Sequence, residues 1–284
     1  MLRRRDAQAL PKEARPLALN DGKRSAKFPW GQVSEWWHQI VDEPYPALEP
    51  DSSSALFRVF GAGLMSPHDA RATKDRIMLI ICFVSYKGGS GKSTAVAHFS
   101  VVASLHGYRV VIVDLDPQQS LATWASLRRR HGPDVVAMRP SELAGFLEEN
   151  RSRYDLCVID TPGHDWSVLA KVAAASDLSI IVSRPTLFDV DVAISVRDAL
   201  IRHEKPCAFL LTQVPPRASS RLAIWAQTYE GLGTIVDPPL ASLFGYQDAL
   251  AAGLGVSEYQ PGERADREIR SVYRWIVNQL GAPK

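Results

Sequence analysis

Cysteine is scarce in this chain: three residues in 284, Cys82, Cys157 and Cys207, with no C-x-x-C pair among them. Each lies in an apolar run of strand character, so the sequence predicts buried free thiols and argues against a disulfide framework, a zinc ribbon or a cysteine-held cluster. No apolar run approaches the ~20 residues that a membrane-crossing helix needs. The start, Met1-Leu2-Arg3-Arg4-Arg5-Asp6, is basic without an apolar segment behind it, so no secretory leader is expected and a cytoplasmic location is. A dominant charge sign is missing too, with 33 basic against 31 acidic residues and a net charge of +2. That excess lies entirely in residues 1–77, which leaves the remainder formally neutral. Any nucleic-acid surface must therefore be a local patch. No repeat of solenoid length is present. A hydrophobic content of 46% over this length suits one sizeable α/β core with an appendage.

Organisation changes near residue 77. Residues 1–76 combine basic residues, scattered prolines and the polar run Asp51-Ser52-Ser53-Ser54, and read as a poorly structured extension. Trp30, Trp36 and Trp37 could form a docking patch there or pack locally. Met78 stands at the first expected core strand, so an alternative start at that methionine would give a product of 207 residues. Residues 77–284 read as one domain. Apolar runs at Ile77 to Val84, Val110 to Val113, Val135 to Met138, Leu156 to Ile159, Leu178 to Val182, Ala208 to Leu211 and Thr234 to Val236 alternate with helix-like segments. This is the rhythm of an α/β, doubly wound, mostly parallel sheet flanked by helices. In such sheets ligands bind beyond the carboxyl ends of the strands.

The segment Tyr86-Lys87-Gly88-Gly89-Ser90-Gly91-Lys92-Ser93-Thr94 follows the first expected strand and precedes a helix-like run from Ser93 to Leu105. Glycines let backbone N–H groups converge on phosphate oxygens, and the helix N-terminus adds a favourable dipole. Lys92 reaches the terminal phosphates and Ser93 can hold Mg²⁺. The glycine that usually opens such a loop is replaced by Tyr86, and Lys87 adds a second lysine. Two further acidic sites follow strands: Asp114 and Asp116 in Val113-Asp114-Leu115-Asp116-Pro117-Gln118-Gln119, and Asp160 in Leu156-Cys157-Val158-Ile159-Asp160-Thr161-Pro162-Gly163. A lone acid after a strand is commonplace as a turn or cap residue. Three such sites in this order are not.

The pattern Lys-Gly-Gly-x-Gly-Lys-Ser-Thr resembles the deviant Walker A loop of the ParA/MinD ATPases, and the resemblance covers most of residues 78–280. It implies a P-loop NTPase fold of the deviant Walker A type, with ATP and Mg²⁺ as ligands. It implies that Lys87 crosses a dimer interface to the partner's nucleotide, and that Gly88, Gly89, Ser90, Gly91, Lys92, Ser93 and Thr94 hold the phosphates. Asp116 would position the attacking water, while Ser93, Asp114 and Asp160 would serve the metal. Ser183-Arg184-Pro185-Thr186-Leu187-Phe188-Asp189 resembles a Pro-x-x-x-Asp segment near that interface. Gln213 stands where the family contacts adenine. Tyr246 to Glu258 resembles the late ParA pattern.

The family further implies an ATP-state homodimer, non-specific DNA binding, nucleoid association and weak ATPase activity stimulated by a ParB-like partner, with partition of a plasmid or chromosome as the task. At 100° per residue Arg264, Arg267, Arg270 and Arg274 share one face of the last helix, opposite Ile269, Val272, Tyr273, Ile276 and Leu280. That face is either a DNA contact or a solvated surface. Arg128-Arg129-Arg130 reads as a helix C-terminus complementing its dipole. Two alternatives stand beside partition: a MinD-like membrane-positioning ATPase using the last helix at a bilayer, although membrane association is not expected, and a nucleotide-switched adaptor for conjugative DNA transfer.

Overall fold

The computed structural model describes residues 78–163, 165–216 and 219–281, with the side chains of residues 219–222 left aside. The extension 1–76 and its three tryptophans lie outside the described residues. Six strands form one parallel sheet: β1 (Leu79–Val84), β2 (Val110–Asp114), β3 (Asp134–Ala137), β4 (Leu156–Asp160), β5 (Leu178–Ser183) and β6 (Cys207–Leu211), in the order β3-β2-β4-β1-β5-β6. The helices are α1 (Lys92–Leu105), α2 (Ser120–Leu127), α3 (Leu143–Asn150), α4 (Trp166–Ala175), α5 (Leu187–Arg202), α6 (Ser219–Glu230), α7 (Phe244–Ala251), α8 (Val256–Tyr259) and α9 (Arg264–Gln279).

Near-continuous Val, Ile and Leu runs make these strands because both faces of the sheet are covered. Alternate residues serve opposite cores. Ile81 and Phe83 pack with α1, α2 and the α7–α9 segment, whereas Ile80, Cys82 and Val84 pack with α3, α4, α5 and Tyr229 of α6. The seventh expected strand, Thr234 to Val236, is reduced to an isolated parallel bridge between Phe209 and Ile235. The Phe209 N–H donates to the Thr234 carbonyl and the Phe209 carbonyl accepts from the Val236 N–H, but Pro238 and Pro239 follow Asp237, and residues without an N–H cannot extend a ladder. Cys82 and Cys157 are buried as expected, whereas Cys207, at the start of edge strand β6, is only half-buried. Among the described residues no helix is long and apolar enough to cross a membrane.

Two buried polar devices fasten the late segment to α1 and to the end of α2. His98 of α1 is fully enclosed: its Nδ1 accepts from the Val256 N–H at 2.9 Å and its Nε2 lies 3.1 Å from the Tyr246 carbonyl. Both roles are met by the neutral ring carrying its proton on Nε2. Arg128, expected to complement the dipole of α2, instead turns its guanidinium into a bidentate ion pair with Glu258 and stacks over Trp124. Both side chains are 5% exposed. Gly253, in a left-handed conformation, passes so close that a Cβ there would come within 2.6 Å of the Leu127 backbone.

Burial holds the His98 pKa down to about 4, against about 6.5 in an unfolded chain. Between those values the unfolded state binds the extra proton, so the contribution of His98 is complete above pH 6.5 and is lost as pH falls toward 4. Denaturant unfolding at pH 7 and pH 5 should show this loss, on the order of 3 kcal/mol at its limit. In His98→Gln the pH dependence across that window should shrink; an unchanged pH profile would contradict the assignment.

Candidate functional site

The parallel register sets the carboxyl ends of β2, β4 and β1 side by side. Asp114 pairs with Asp160 across β2 and β4, and Asp160 pairs with Phe83 across β4 and β1. The segment after β1 therefore reaches the Asp160 carboxylate, with Asp114 paired beside it. A cleft of about 720 Å³ lies there, lined by Lys87 to Thr94, by Asp116, Pro117 and Gln118 after β2, by Pro162, Gly163 and Asp165 after β4, and by Gln213 after β6.

The loop is held by its neighbours rather than by itself. Thr212 Oγ1 donates to the Ser90 carbonyl at 2.5 Å, and Gln213 Nε2 donates to the Gly89 carbonyl at 2.6 Å. Gly91 has φ +86°, and a Cβ there would meet Gln213 and Thr212 at 3.5–3.7 Å. Glycine is what lets the chain turn into α1 at that point. Gln213 itself adopts φ 54°, which aims its amide back at the loop. The residue expected at the base is thus found bracing the glycine-rich loop, at the rim of the same cleft.

Asp160 is the most enclosed carboxylate of the site. Its Oδ2 accepts from the Ser93 hydroxyl at 2.6 Å, and its Oδ1 lies 3.2 Å from the Lys92 ammonium. Oδ1 is buried without an aligned hydrogen bond. Burial pushes its acid up to about 6, with the Asp114 charge adding to the rise and Lys92 and Ser93 opposing it. A buried carboxylate whose one oxygen is held by an ammonium without an aligned hydrogen bond, and whose other oxygen takes the Ser93 hydroxyl, is a hard-oxygen arrangement suited to a divalent cation such as Mg²⁺.

Asp114 is 1% exposed. Its two oxygens accept from the backbone N–H groups of Asp116, Leu121 and Ala122. Asp116, half-exposed on the cleft wall, accepts from the Gln118 N–H at 2.9 Å through Oδ1.

The two lysines of the loop are placed differently. Lys92 is 8% exposed and faces Asp160, whereas Lys87 is 33% exposed and reaches away to Asp189 at 2.9 Å. Asp189, at the start of α5, also accepts from Arg184 and Thr186. Burial raises its acid, yet those donors outweigh the burial and keep it below the usual carboxylate range. Exposed Phe188 lies 5.9 Å beneath the Lys87 ammonium, and Trp166 stacks on Tyr86 at 4.4 Å. The Pro-x-x-x-Asp spacing marks Asp189 in the sequence; nothing in the sequence marks the Lys87 contact, which joins residues 102 positions apart.

Of the four arginines on α9, Arg264 and Arg270 are paired with Glu268 and Asp266 on the same helix. Arg267 bonds the Gly262 carbonyl, and Arg274 the Ser271 hydroxyl. The stripe is real, but half its charge is offset within the helix.

The comparisons agree with this architecture. The chain is 28% identical to the maintenance of carboxysome distribution protein A of Gloeobacter kilaueensis over 71% of its own length and 93% of that protein. It is 23% identical to the protein ParA of Rhizobium radiobacter over 60% of its length and 81% of that relative. Among solved structures, the fold matches an ATP complex of McdA from Cyanothece with a TM-score of 0.60 at 15% identity, over 74% of this chain and 99% of that one. It also matches the septum site-determining protein MinD of Pyrococcus horikoshii bound to Mg-ADP, with a TM-score of 0.60 at 17% identity, over 72% and 98%. The profile of the CobQ/CobB/MinD/ParA nucleotide binding domain matches residues 81–251, and the chain belongs to that family of P-loop ATPases.

Proposed function

We propose that this protein is a Mg²⁺-dependent ATPase of ParA type that dimerises on ATP, binds DNA without marked sequence preference and drives segregation of a plasmid or chromosome under stimulation by a ParB-like partner. The observation that carries the reading is the division of labour between the two loop lysines. Lys92 is committed to the phosphate cleft of its own chain, while Lys87 is turned outward onto Asp189 and can be handed to a nucleotide on a second copy.

ATP would lie in the cleft with its phosphates against the loop from Gly88 to Thr94 and Lys92, where fixed N–H groups and an ammonium stabilise charge with little reorganisation. Gln213 Oε1 would accept from a base amino group while Nε2 keeps its hold on Gly89. Ser93 and Asp160 would hold Mg²⁺, which supplies charge neutralisation on the phosphates. Asp116, with Oδ1 fixed by Gln118, would orient the attacking water through Oδ2. DNA would meet the outer face of α9, where Arg267 and Arg274 carry charge that no acid on the helix offsets. The buried opposite face of α9, with Ile269, Val272 and Ile276 fully enclosed, weighs against use of this helix at a bilayer.

Three outcomes test the reading. Lys92→Ala should abolish ATP-dependent dimerisation in sedimentation runs, while Asp116→Ala should still dimerise on ATP and lose about a hundredfold in turnover; full turnover in the second variant overturns its role. Half-saturating Mg²⁺ for nucleotide binding should rise about tenfold per pH unit below 6, as Asp160 takes up its proton and stops serving as a ligand, and should be flat between pH 7 and 8. Non-specific duplex DNA should bind only with ATP and Mg²⁺, with a steep salt dependence that Arg267→Ala and Arg274→Ala reduce by about one counterion each. Binding to anionic vesicles in place of DNA would transfer the protein to the membrane-positioning class.

A further inference from the structure

Helix α2 begins without a cap of its own. Its N-cap position is taken by Gln119, held at φ 51° with no side-chain bond to the helix, although first-turn N–H groups have no acceptor within a helix. The acceptor comes from outside. Asp114 Oδ2, on the last residue of buried strand β2, takes the Leu121 N–H at 3.0 Å and the Ala122 N–H at 3.3 Å. Its Oδ1 takes the Asp116 N–H at 3.1 Å. Three of the roughly four lone-pair sites of the carboxylate are therefore spent on backbone, and the segment they enclose, 115–120, contains Asp116 itself.

The remaining contacts tighten the same loop. The Asp116 carbonyl accepts from Gln119, and the Asp116 carboxylate from Gln118. At the far end of α2, Arg128 is sealed against Glu258 and bonds the carbonyls of Gly253 and Gly132. The helix is thus anchored at both ends by charged groups that do not belong to it, and the carboxylate at its N-terminus also complements its dipole.

We propose that Asp114 is a positioning residue for ATP hydrolysis, fixing the Asp116 loop and the first turn of α2 through three backbone N–H groups, and that it does not serve the metal ion. The inference rests on the ATPase reading above. It separates the two strand-end acids that the register sets side by side: Asp160 with both oxygens on side chains of the glycine-rich loop and α1, Lys92 and Ser93, and Asp114 with both oxygens engaged by backbone N–H groups.

Asp114→Asn tests it with little change in volume. An amide presents its oxygen to one side only, so either the Asp116 N–H or the pair at the head of α2 must face an NH₂ group. Amide exchange read by mass spectrometry should rise across residues 116–123 and stay unchanged across 124–130, where Arg128 holds the helix. The kcat should fall at least tenfold, while KM for Mg-ATP and half-saturating Mg²⁺ move less than twofold. Asp160→Asn, assayed beside it, should instead raise the Mg²⁺ requirement. Ala122→Pro is the second variant: it deletes one of the three donors in the first helical turn, where proline is tolerated, and should lower kcat several-fold without altering the Mg²⁺ requirement. A raised Mg²⁺ requirement in Asp114→Asn with unchanged exchange would overturn the proposal, as would full turnover in that variant. A wild-type protein that binds ATP without hydrolysing it would instead sink the functional reading itself.

Discussion

The site depends on the level at which three parallel strands stop. Because β2, β4 and β1 are paired in register, their carboxyl ends lie level, and the chain leaving β1 brings Lys92 and Ser93 onto the acid that ends β4, which is paired with the one that ends β2. A one-residue slip of β4 would send Asp160 to the opposite face of the sheet, since side chains alternate with a period of two. The surrounding Val and Ile layers oppose such a slip, because every residue of β4 is buried and would have to exchange cores. Hydrophobic patterning, which carries no chemistry, therefore fixes the spacing of the chemical groups. Desolvation at that level then makes an unpartnered carboxylate costly, and Lys92 and Ser93 offset part of that cost. The same low-dielectric surroundings strengthen every interaction with a phosphate or a cation brought into the cleft.

Much of this was legible in the sequence. Six of the seven expected strands are present within a residue or two of their expected limits, because continuous β-branched runs bounded by polar turns leave few alternatives. The glycine-lysine spacing points to the loop after β1 for the same reason: each residue type has a steric or charge requirement that few others meet. What failed to show is what depends on long-range packing. Thr234 to Val236 has strand composition, but the prolines after it leave only a bridge. Arg128 has the composition of a helix end and turns out to be half of a buried ion pair with a residue 130 positions away. Gln213 was legible as a cleft residue, but its bond to Gly89 follows only from the fold, because an amide offers donor and acceptor alike. The family resemblance assigns Asp114 to the metal; the number of N–H groups around it becomes countable only once α2 is placed.

The contrast between the two lysines has an energetic side. Lys92 is buried, so removing Asp160 would leave an ammonium without compensation, the situation in which breaking a pair is strongly destabilising. Lys87 is a third exposed, and water can solvate it when it leaves Asp189. The acid is the more demanding member, being 2% exposed. Asp189 nonetheless keeps Arg184 and Thr186 when Lys87 departs, so a full charge-assisted contact remains to it. The Lys87–Asp189 bond is consequently one that can be broken at modest cost on both sides. If ATP on a second copy draws Lys87 across, as the proposed function requires, it competes against a screened and partly redundant pair, not against a sealed one. On that reading the loop carries one committed and one exchangeable lysine, and the difference between the two is set by the burial of Lys92 and by the Arg184 and Thr186 bonds that Asp189 keeps.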